Sequence, residues 1–144
     1  MYKRVIVKIG SSVLSKDDAL DYKVIQQLVG QIVTLRKKGV EIVLVTSGAV
    51  ATGRSLVSVR KDLDETVQKQ VYAAAGQVKL MTSYTAVFAE HATTCAQILL
   101  TKEDFRDEMH YTNTRNCLDA MIESGIVPVV NENDVTATTE LLFT

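Results

Sequence analysis

Residues 5–15, VIVKIGSSVLS, decide the fold class, because an apolar run ends there in a glycine and two serines. The run from 4 to 9 is rich in β-branched side chains, which predicts a buried strand followed by a turn. Lys8 lies inside this run, and an unpaired ammonium group buried there would be unfavourable by several kcal/mol. We therefore expect the Lys8 side chain either to reach water or to find a partner.

Strands of this kind alternate with helices along the chain. The predicted strands cover residues 4–9, 41–46, 94–100, 126–130 and 140–144. Because Pro128 has no N–H group, we expect it at an unpaired side of its strand or at a bulge. The alternation predicts an α/β fold with a mostly parallel sheet covered by helices on both faces. Ligands of such folds bind at the carboxyl ends of the strands.

Three long helices are predicted from the spacing of apolar residues. Asp21 caps the first helix, which ends at Gly39. The second begins near Asp64, and Gly76 is a candidate for a bend or break in it. The third covers residues 116–124. One face of the second helix is predicted to carry its apolar residues, which are Val67, Val71, Ala74, Ala75, Val78 and Met81.

Composition limits the class of protein. The 144 residues are 47% apolar, which is enough to build the core of one domain. The 16 basic and 17 acidic side chains give a net charge of -1, so neither nucleic acid nor an anionic membrane is expected as a partner. No apolar run approaches the ~18 residues of a membrane span, which favours a cytoplasmic protein. Cys95 and Cys117 lack the spacing of metal ligands and are interpreted as structural, and no metal-binding residue is predicted.

Three polar turns follow predicted strands. Residues 10–12, GSS, offer backbone and hydroxyl donors to an anion, and Lys8 adds positive charge. Residues 46–49, TSGA, offer backbone donors and a hydroxyl, whereas residues 131–134, NEND, offer two carboxylates and two amides. Each alone has an ordinary interpretation, as a polar turn beside an outward lysine, a tight strand-to-helix connection or a solvated acidic turn. Together they favour a phosphate donor beside a zwitterionic substrate.

Five segments that span the chain in order resemble the glutamate 5-kinases of the amino acid kinase family. The segments are residues 5–14, 45–53, 73–81, 97–101 and 113–138. Related kinases that act on aspartate, acetylglutamate, carbamate or UMP share the lysine-glycine start. The combination of TSGA with NEND is similar to the glutamate kinases in particular. The resemblance implies a three-layer αβα sandwich.

The resemblance also implies an activity and a set of site residues. The γ-phosphoryl group of ATP, with Mg²⁺, would be transferred to the side-chain carboxylate of L-glutamate to give L-glutamyl 5-phosphate, the first step of proline biosynthesis. Lys8 would contact the phosphates and carry the catalytic charge, and Gly10 and Ser11 would line the phosphate loop. The glutamate-binding residues would be Ser47, Gly48, Ala49, Asn131 and Asp134, with Asp134 holding the amino group.

This reaction suits the residue types present. A glutamate carboxylate with a pKa of ~4.3 is already ionised at neutral pH, so no general base is needed. The obstacle is repulsion between anions, which a lysine, a metal ion and backbone N–H groups can offset.

The resemblance implies that residues 1–144 form the N-terminal, glutamate- and phosphate-binding portion of a kinase domain. The nucleotide-binding C-terminal portion, with an Asp-Asn-Asp segment just after the last predicted strand, is expected beyond Thr144. The 144-residue chain alone is therefore expected to have little or no kinase activity, and the family commonly forms dimers or tetramers. Two alternatives stay open: a kinase acting on another carboxylate or carbamate, and a non-catalytic half-domain that binds an amino acid or pairs with another chain.

Overall fold

The structure, a computed structural model, describes residues 2–16 and 19–138 and has a parallel sheet between two helical layers. In chain order the elements are β1 (Arg4–Lys8), α1 (Ser11–Leu14), β2 (Ser15–Lys16), β3 (Ala19–Leu20), α2 (Tyr22–Lys37), β4 (Glu41–Val45), α3 (Ala49–Leu56), α4 (Glu65–Glu90), β5 (Cys95–Leu100), a 3₁₀ turn (Lys102–Phe105), α5 (Glu108–Glu123) and β6 (Val127–Glu132). The α/β class and the mostly parallel sheet are confirmed.

The four long strands are ordered β1-β4-β6-β5, and every neighbouring pair is parallel. Strands β2 and β3 form a separate antiparallel pair of two residues each. Because β1, β4 and β6 are neighbours, the turns that follow them leave the sheet side by side. This topology sets the location of the candidate site.

The core lies between the sheet and the helices α2 and α4. Fully buried side chains from both helices and from the central strands meet there, including Ile25, Val29, Leu44, Leu80, Tyr84, Phe88, Val127 and Val129. Helix α5 covers the opposite face of the sheet, where its residues line a groove with Ile6, Val43 and Val130. The two helical layers and the sheet between them make up the expected three-layer αβα arrangement.

The sheet face under α5 is only partly covered. Alternate residues of edge strand β1 point to that face, and Ile6 is 68% exposed there. Arg4 ties this edge to its surroundings, with Nε 2.8 Å from a Glu41 carboxylate oxygen and Nη1 3.0 Å from an Asp119 oxygen. Lys8 has the same orientation as Arg4 and Ile6, away from the core.

Local capping signals are confirmed for α2. The Asp21 carboxylate accepts from the N–H groups of Lys23 and Val24, at 3.0 and 3.4 Å. Gly39 just beyond the helix has φ +83°, the left-handed conformation that favours glycine at a helix end. One residue at each end therefore determines where the helix begins and where it ends.

The predicted break in α4 and the predicted apolar face of its first half are wrong. The helix runs unbroken through Gly76, which is buried against α3. The apolar face predicted for its first half points largely to water, since Val67, Val71 and Val78 are 40%, 41% and 68% exposed. That half buries Ala73 and Gly76 instead, because α3 crosses it too closely to accept larger side chains.

Pro128 lies in an internal strand but where its missing N–H group is not needed. The Val130 carbonyl accepts from Thr46 N–H, so even-numbered residues of β6 turn their backbone groups toward β4. Pairing between the two strands begins only at Leu44 with Val129. The proline nitrogen therefore faces β4 before that ladder starts, which fits the expected unpaired side.

The predicted strand at 140–144 lies outside the described residues. None of the helices in residues 2–16 and 19–138 is both long and apolar enough to cross a membrane.

Candidate functional site

The turns after β1 and β4 are joined by hydrogen bonds at the carboxyl edge of the sheet. The N–H of Ile9 donates to the Val45 carbonyl at 2.9 Å, and the Ser47 hydroxyl donates to the Ile9 carbonyl at 3.2 Å. On the other side of β4, the N–H of Thr46 donates to the Val130 carbonyl at 2.8 Å. The turn after β4 is therefore held between the other two strand ends.

Gly48 lets the turn after β4 approach the turn after β1. Its φ of +96° is a left-handed conformation in which side chains are strained. A Cβ atom at this position would lie 3.7 Å from Ser11 Cα, within ordinary contact distance. The backbones of the two turns are thus close enough for one ligand to touch both.

The first turn presents hydrogen-bond donors to solvent. Lys8, Gly10, Ser11 and Ser12 are all exposed, and the Lys8 ammonium has no hydrogen bond or ion pair within residues 2–16 and 19–138. The first N–H groups of α1 have no acceptor in the helix itself, since Val13 and Leu14 are the first to donate back, to Gly10. A cation three residues before amide groups that have no helical acceptor is a donor set that suits phosphate oxygens.

Gly10 is not explained by the packing of the chain. Its φ of -84° is ordinary for any residue, and a Cβ atom there would meet nothing within 4 Å among the described residues. The glycine therefore leaves open space next to Lys8 and the free amide groups.

The second turn combines a hydroxyl with a helix N-terminus. Ser47 is half-buried, and because its proton is donated to Ile9, its lone pairs remain as acceptors. Ala49 begins α3, whose first bonded amide is that of Thr52, donating to Gly48 at 2.9 Å. The amide groups before Thr52 lack intrahelical acceptors and can donate to a ligand carboxylate.

The third turn places two carboxylates across a small cavity from α3. Glu132 and Asp134 line a cavity of about 200 Å³ together with Ala49 and residues of α4 and β5. Asp134 is half-buried. The Asn131 side-chain amide donates to Gln77 Oε1 at 2.8 Å, and its oxygen accepts from Glu132 N–H at 2.9 Å.

Sequence reasoning missed Tyr84 of α4, which supports the second turn from the core. Tyr84 is fully buried, and its hydroxyl lies 2.9 Å from Thr46 Oγ1, directly before Ser47. Burial raises the pKa of Tyr84 to about 12, and the hydrogen bond with Thr46 offsets only part of that rise. A tyrosine among the apolar residues of a helix was the only available signal.

The family resemblance implies two ligands, ATP and Mg²⁺. Lys8 and the free amide groups of the first turn suit the phosphates of ATP. For Mg²⁺, no set of three His, Cys, Asp or Glu side chains converges among residues 2–16 and 19–138.

Comparison with known proteins matches residues 3–144 to the amino acid kinase family. The chain is 46% identical over 145 residues to the glutamate 5-kinase of Chlorobaculum tepidum, covering 100% of this chain and 40% of the relative. It is 46% identical over 144 residues to that of Bacteroides thetaiotaomicron, covering 99% and 40%. The glutamate 5-kinase of Pelobacter propionicus is 44% identical over 142 residues, with 98% and 38% covered.

The chain thus spans about 40% of the length of these curated relatives. The similarity runs from residue 3 to the last residue and includes the five segments on which the resemblance was based. The chain belongs to the amino acid kinase family.

Proposed function

We propose that residues 1–144 form the glutamate- and phosphate-binding portion of a glutamate 5-kinase, which transfers the γ-phosphoryl group of ATP to the side-chain carboxylate of L-glutamate. The observation that carries this proposal is the contact between the first two turns. There the turn that contains Lys8 and the first amide groups of α1 meets the turn around Ser47. Similarity to proteins named glutamate 5-kinase supports the choice of acceptor.

The proposed roles follow from the charges of the two substrates. Lys8 and the amide groups of Ser11 and Ser12 hold the transferred phosphoryl group and offset its repulsion of the incoming carboxylate. Binding the two anions at adjacent turns brings them together in line. ATP supplies the phosphoryl group, and no residue of this chain has to form a covalent bond with it.

The acceptor is proposed to lie between the second and third turns. The amide groups at the start of α3 donate to a carboxylate of glutamate, and Asp134 accepts from its α-ammonium group. Ala49 lines this cavity, and Ser47 and Gly48 directly before it lie next to the turn that is proposed to hold the phosphates. Asn131 contributes to the shape of the third turn.

Binding is the assay suited to these residues, since the chain spans about 40% of its relatives' length. Calorimetric titration of the 144-residue chain should detect L-glutamate and tripolyphosphate. Lys8→Met should weaken tripolyphosphate binding about tenfold to a hundredfold, because a hydrogen bond to a charged group contributes roughly 1.5–3 kcal/mol. Lys23→Met, which removes an exposed lysine from α2, is the matched control and should leave binding unchanged.

Titration with other acceptors separates the alternatives. A preference for L-glutamate over L-aspartate and N-acetyl-L-glutamate supports the proposed acceptor. A preference for either of the other two would identify that compound as the acceptor instead. Binding of an amino acid without any binding of tripolyphosphate would point to a non-catalytic amino-acid-binding domain. Equal loss of tripolyphosphate binding in Lys8→Met and Lys23→Met would remove the role assigned to Lys8.

A further inference from the structure

Two glutamines of α4 hold the segment that carries Asp134. Gln77 Oε1 accepts from the Asn131 side-chain amide at 2.8 Å, and Gln70 Nε2 donates to the Val135 carbonyl at 2.7 Å. Residues seven apart on a helix lie on the same face, about 10 Å from each other along the axis. The two contacts therefore fix this segment on both sides of Asp134.

The Gln77 contact continues into the sheet. Its Nε2 donates to Gln97 Oε1 on β5 at 2.8 Å, so both ends of the Gln77 amide are bonded. Asn131 is 6% exposed, and its Oδ1 accepts from the Glu132 N–H. The network therefore runs from buried Asn131 through half-buried Gln77 to Gln97 at the surface, and its bonds at the inner end hold Asn131 and Gln77 in one arrangement.

The same helix also fixes the opposite wall of the cavity. A Cβ atom on Gly76 would lie 1.8 Å from the Ala49 carbonyl oxygen, so α4 touches the start of α3 there. Gly76 and Gln77 are adjacent in sequence. One turn of α4 therefore contacts the wall formed by Ala49 and also reaches Asn131 at the start of the wall that contains Asp134.

From these contacts we infer that Gln70 and Gln77 are positioning residues for recognition of the acceptor's α-ammonium group. They act through the backbone of residues 131–135, which sets where the Asp134 carboxylate lies relative to α3. This inference rests on the proposed function, because it assumes that Asp134 accepts from an amino group. It adds that the selectivity for an amino acid is set from α4, outside the turns themselves.

The test compares L-glutamate with glutarate, which has both carboxylates but no amino group. Gln70→Met and Gln77→Met keep side-chain length and remove the hydrogen bonds. We expect each to lower the ratio of glutamate to glutarate affinity about fivefold, the effect of one net hydrogen bond. General loosening of the fold would weaken both ligands alike and leave that ratio unchanged.

Gln68→Met is the matched control. Gln68 lies on the same helix, and its Nε2 also donates to a backbone carbonyl at 2.8 Å, but that carbonyl belongs to Leu63 before the helix. Its ratio of affinities should equal that of the unmodified chain. All titrations are made well below the thermal unfolding midpoint of each variant, which is measured separately.

The outcomes separate this inference from the proposed function. If the unmodified chain prefers glutamate and both test variants lose that preference while Gln68→Met keeps it, the inference holds. If the preference is the same in all four proteins, Gln70 and Gln77 are not positioning residues although the proposed function stands. If the unmodified chain does not distinguish glutamate from glutarate, the proposed acceptor site fails and this inference with it.

Discussion

Replacing Tyr84 by phenylalanine should reverse the order of stability of the two proteins between neutral and alkaline pH. At pH 7 the change removes the hydrogen bond of a fully buried hydroxyl with Thr46, 2.9 Å away. The Thr46 hydroxyl keeps a weaker contact with the Ser47 carbonyl at 3.3 Å. We expect Tyr84→Phe to be destabilised by about 1 kcal/mol under these conditions.

At alkaline pH the same hydroxyl lowers the stability of the folded protein. Tyr84 has a pKa of about 12 in the folded protein against 10.0 for an unperturbed tyrosine. The unfolded chain therefore releases this proton first, and rising pH favours unfolding between those two values. At 1.36 kcal/mol for each pKa unit, the loss between pH 10 and 12 amounts to roughly 3 kcal/mol.

Phenylalanine has no ionisable hydroxyl, so the alkaline destabilisation caused by Tyr84 is absent in Tyr84→Phe. With a deficit of about 1 kcal/mol at pH 7, the variant should equal the unmodified protein near pH ~10.6 and exceed it above. The assay is guanidinium unfolding followed by circular dichroism from pH 7 to 11.5, comparing the two free energies of unfolding at each pH. Tyr111→Phe, at an exposed residue, should change stability at pH 7 by less than about 0.5 kcal/mol. A constant difference between Tyr84→Phe and the unmodified protein at every pH would refute the reasoning.

Three further substitutions test the packing. Gly76→Ala would bring a methyl group to 1.8 Å from the Ala49 carbonyl oxygen, so chemical denaturation should show a free energy of unfolding lower by about 2–3 kcal/mol. Unchanged stability would contradict the close approach of α3 and α4. Gly30→Ala, in the middle of α2 with nothing within 4 Å among the described residues, should instead raise stability by about 0.5–1 kcal/mol and with it the thermal midpoint. Thr52→Val removes a buried hydroxyl that has no hydrogen-bond partner in the described part of the chain and should stabilise by up to about 1 kcal/mol, whereas a lower melting temperature would reveal a partner.

The fold was predictable where a signal and its effect lie close together in sequence. Asp21 caps the helix that it precedes, and Gly39 ends the same helix with the backbone conformation its position predicted. The strands could be located because runs of β-branched residues are short and are bounded by glycine or polar turns. Their parallel order followed from the helices between them, since parallel neighbours need a crossover connection.

The first half of α4 was not predictable in the same way. Its valines have helical spacing, yet Val78 is 68% exposed and Gly76 is buried. What decides this is the approach of α3, where a Cβ atom on Gly53 would lie 1.8 Å from the Tyr72 carbonyl oxygen. The periodicity of one helix contains no information about how closely a second helix will cross it.

The candidate site was predictable as a set of turns but not as a geometry. The positions of Lys8, Ser47 and Asp134 follow from where parallel strands end. The support for those turns comes from residues far away in sequence, such as Tyr84 beneath Thr46. Glutamine in a helix is most often a solvated residue, so nothing in the sequence distinguished the two that contact residues 131–135 from the others.

Helix α4 explains why these distant residues matter to one another. It is a single unbroken helix that contacts Thr46 through Tyr84, Ala49 through Gly76 and the segment of Asp134 through Gln77 and Gln70. A shift of α4 by one residue, about 1.5 Å along its axis and 100° around it, would break all of these contacts at once. The close contact at Gly76 prevents such a shift, because any larger residue there collides with α3. The spacing between the second and third turns is therefore set by the packing of one helix, and substitutions in its buried end should reach the candidate site through it.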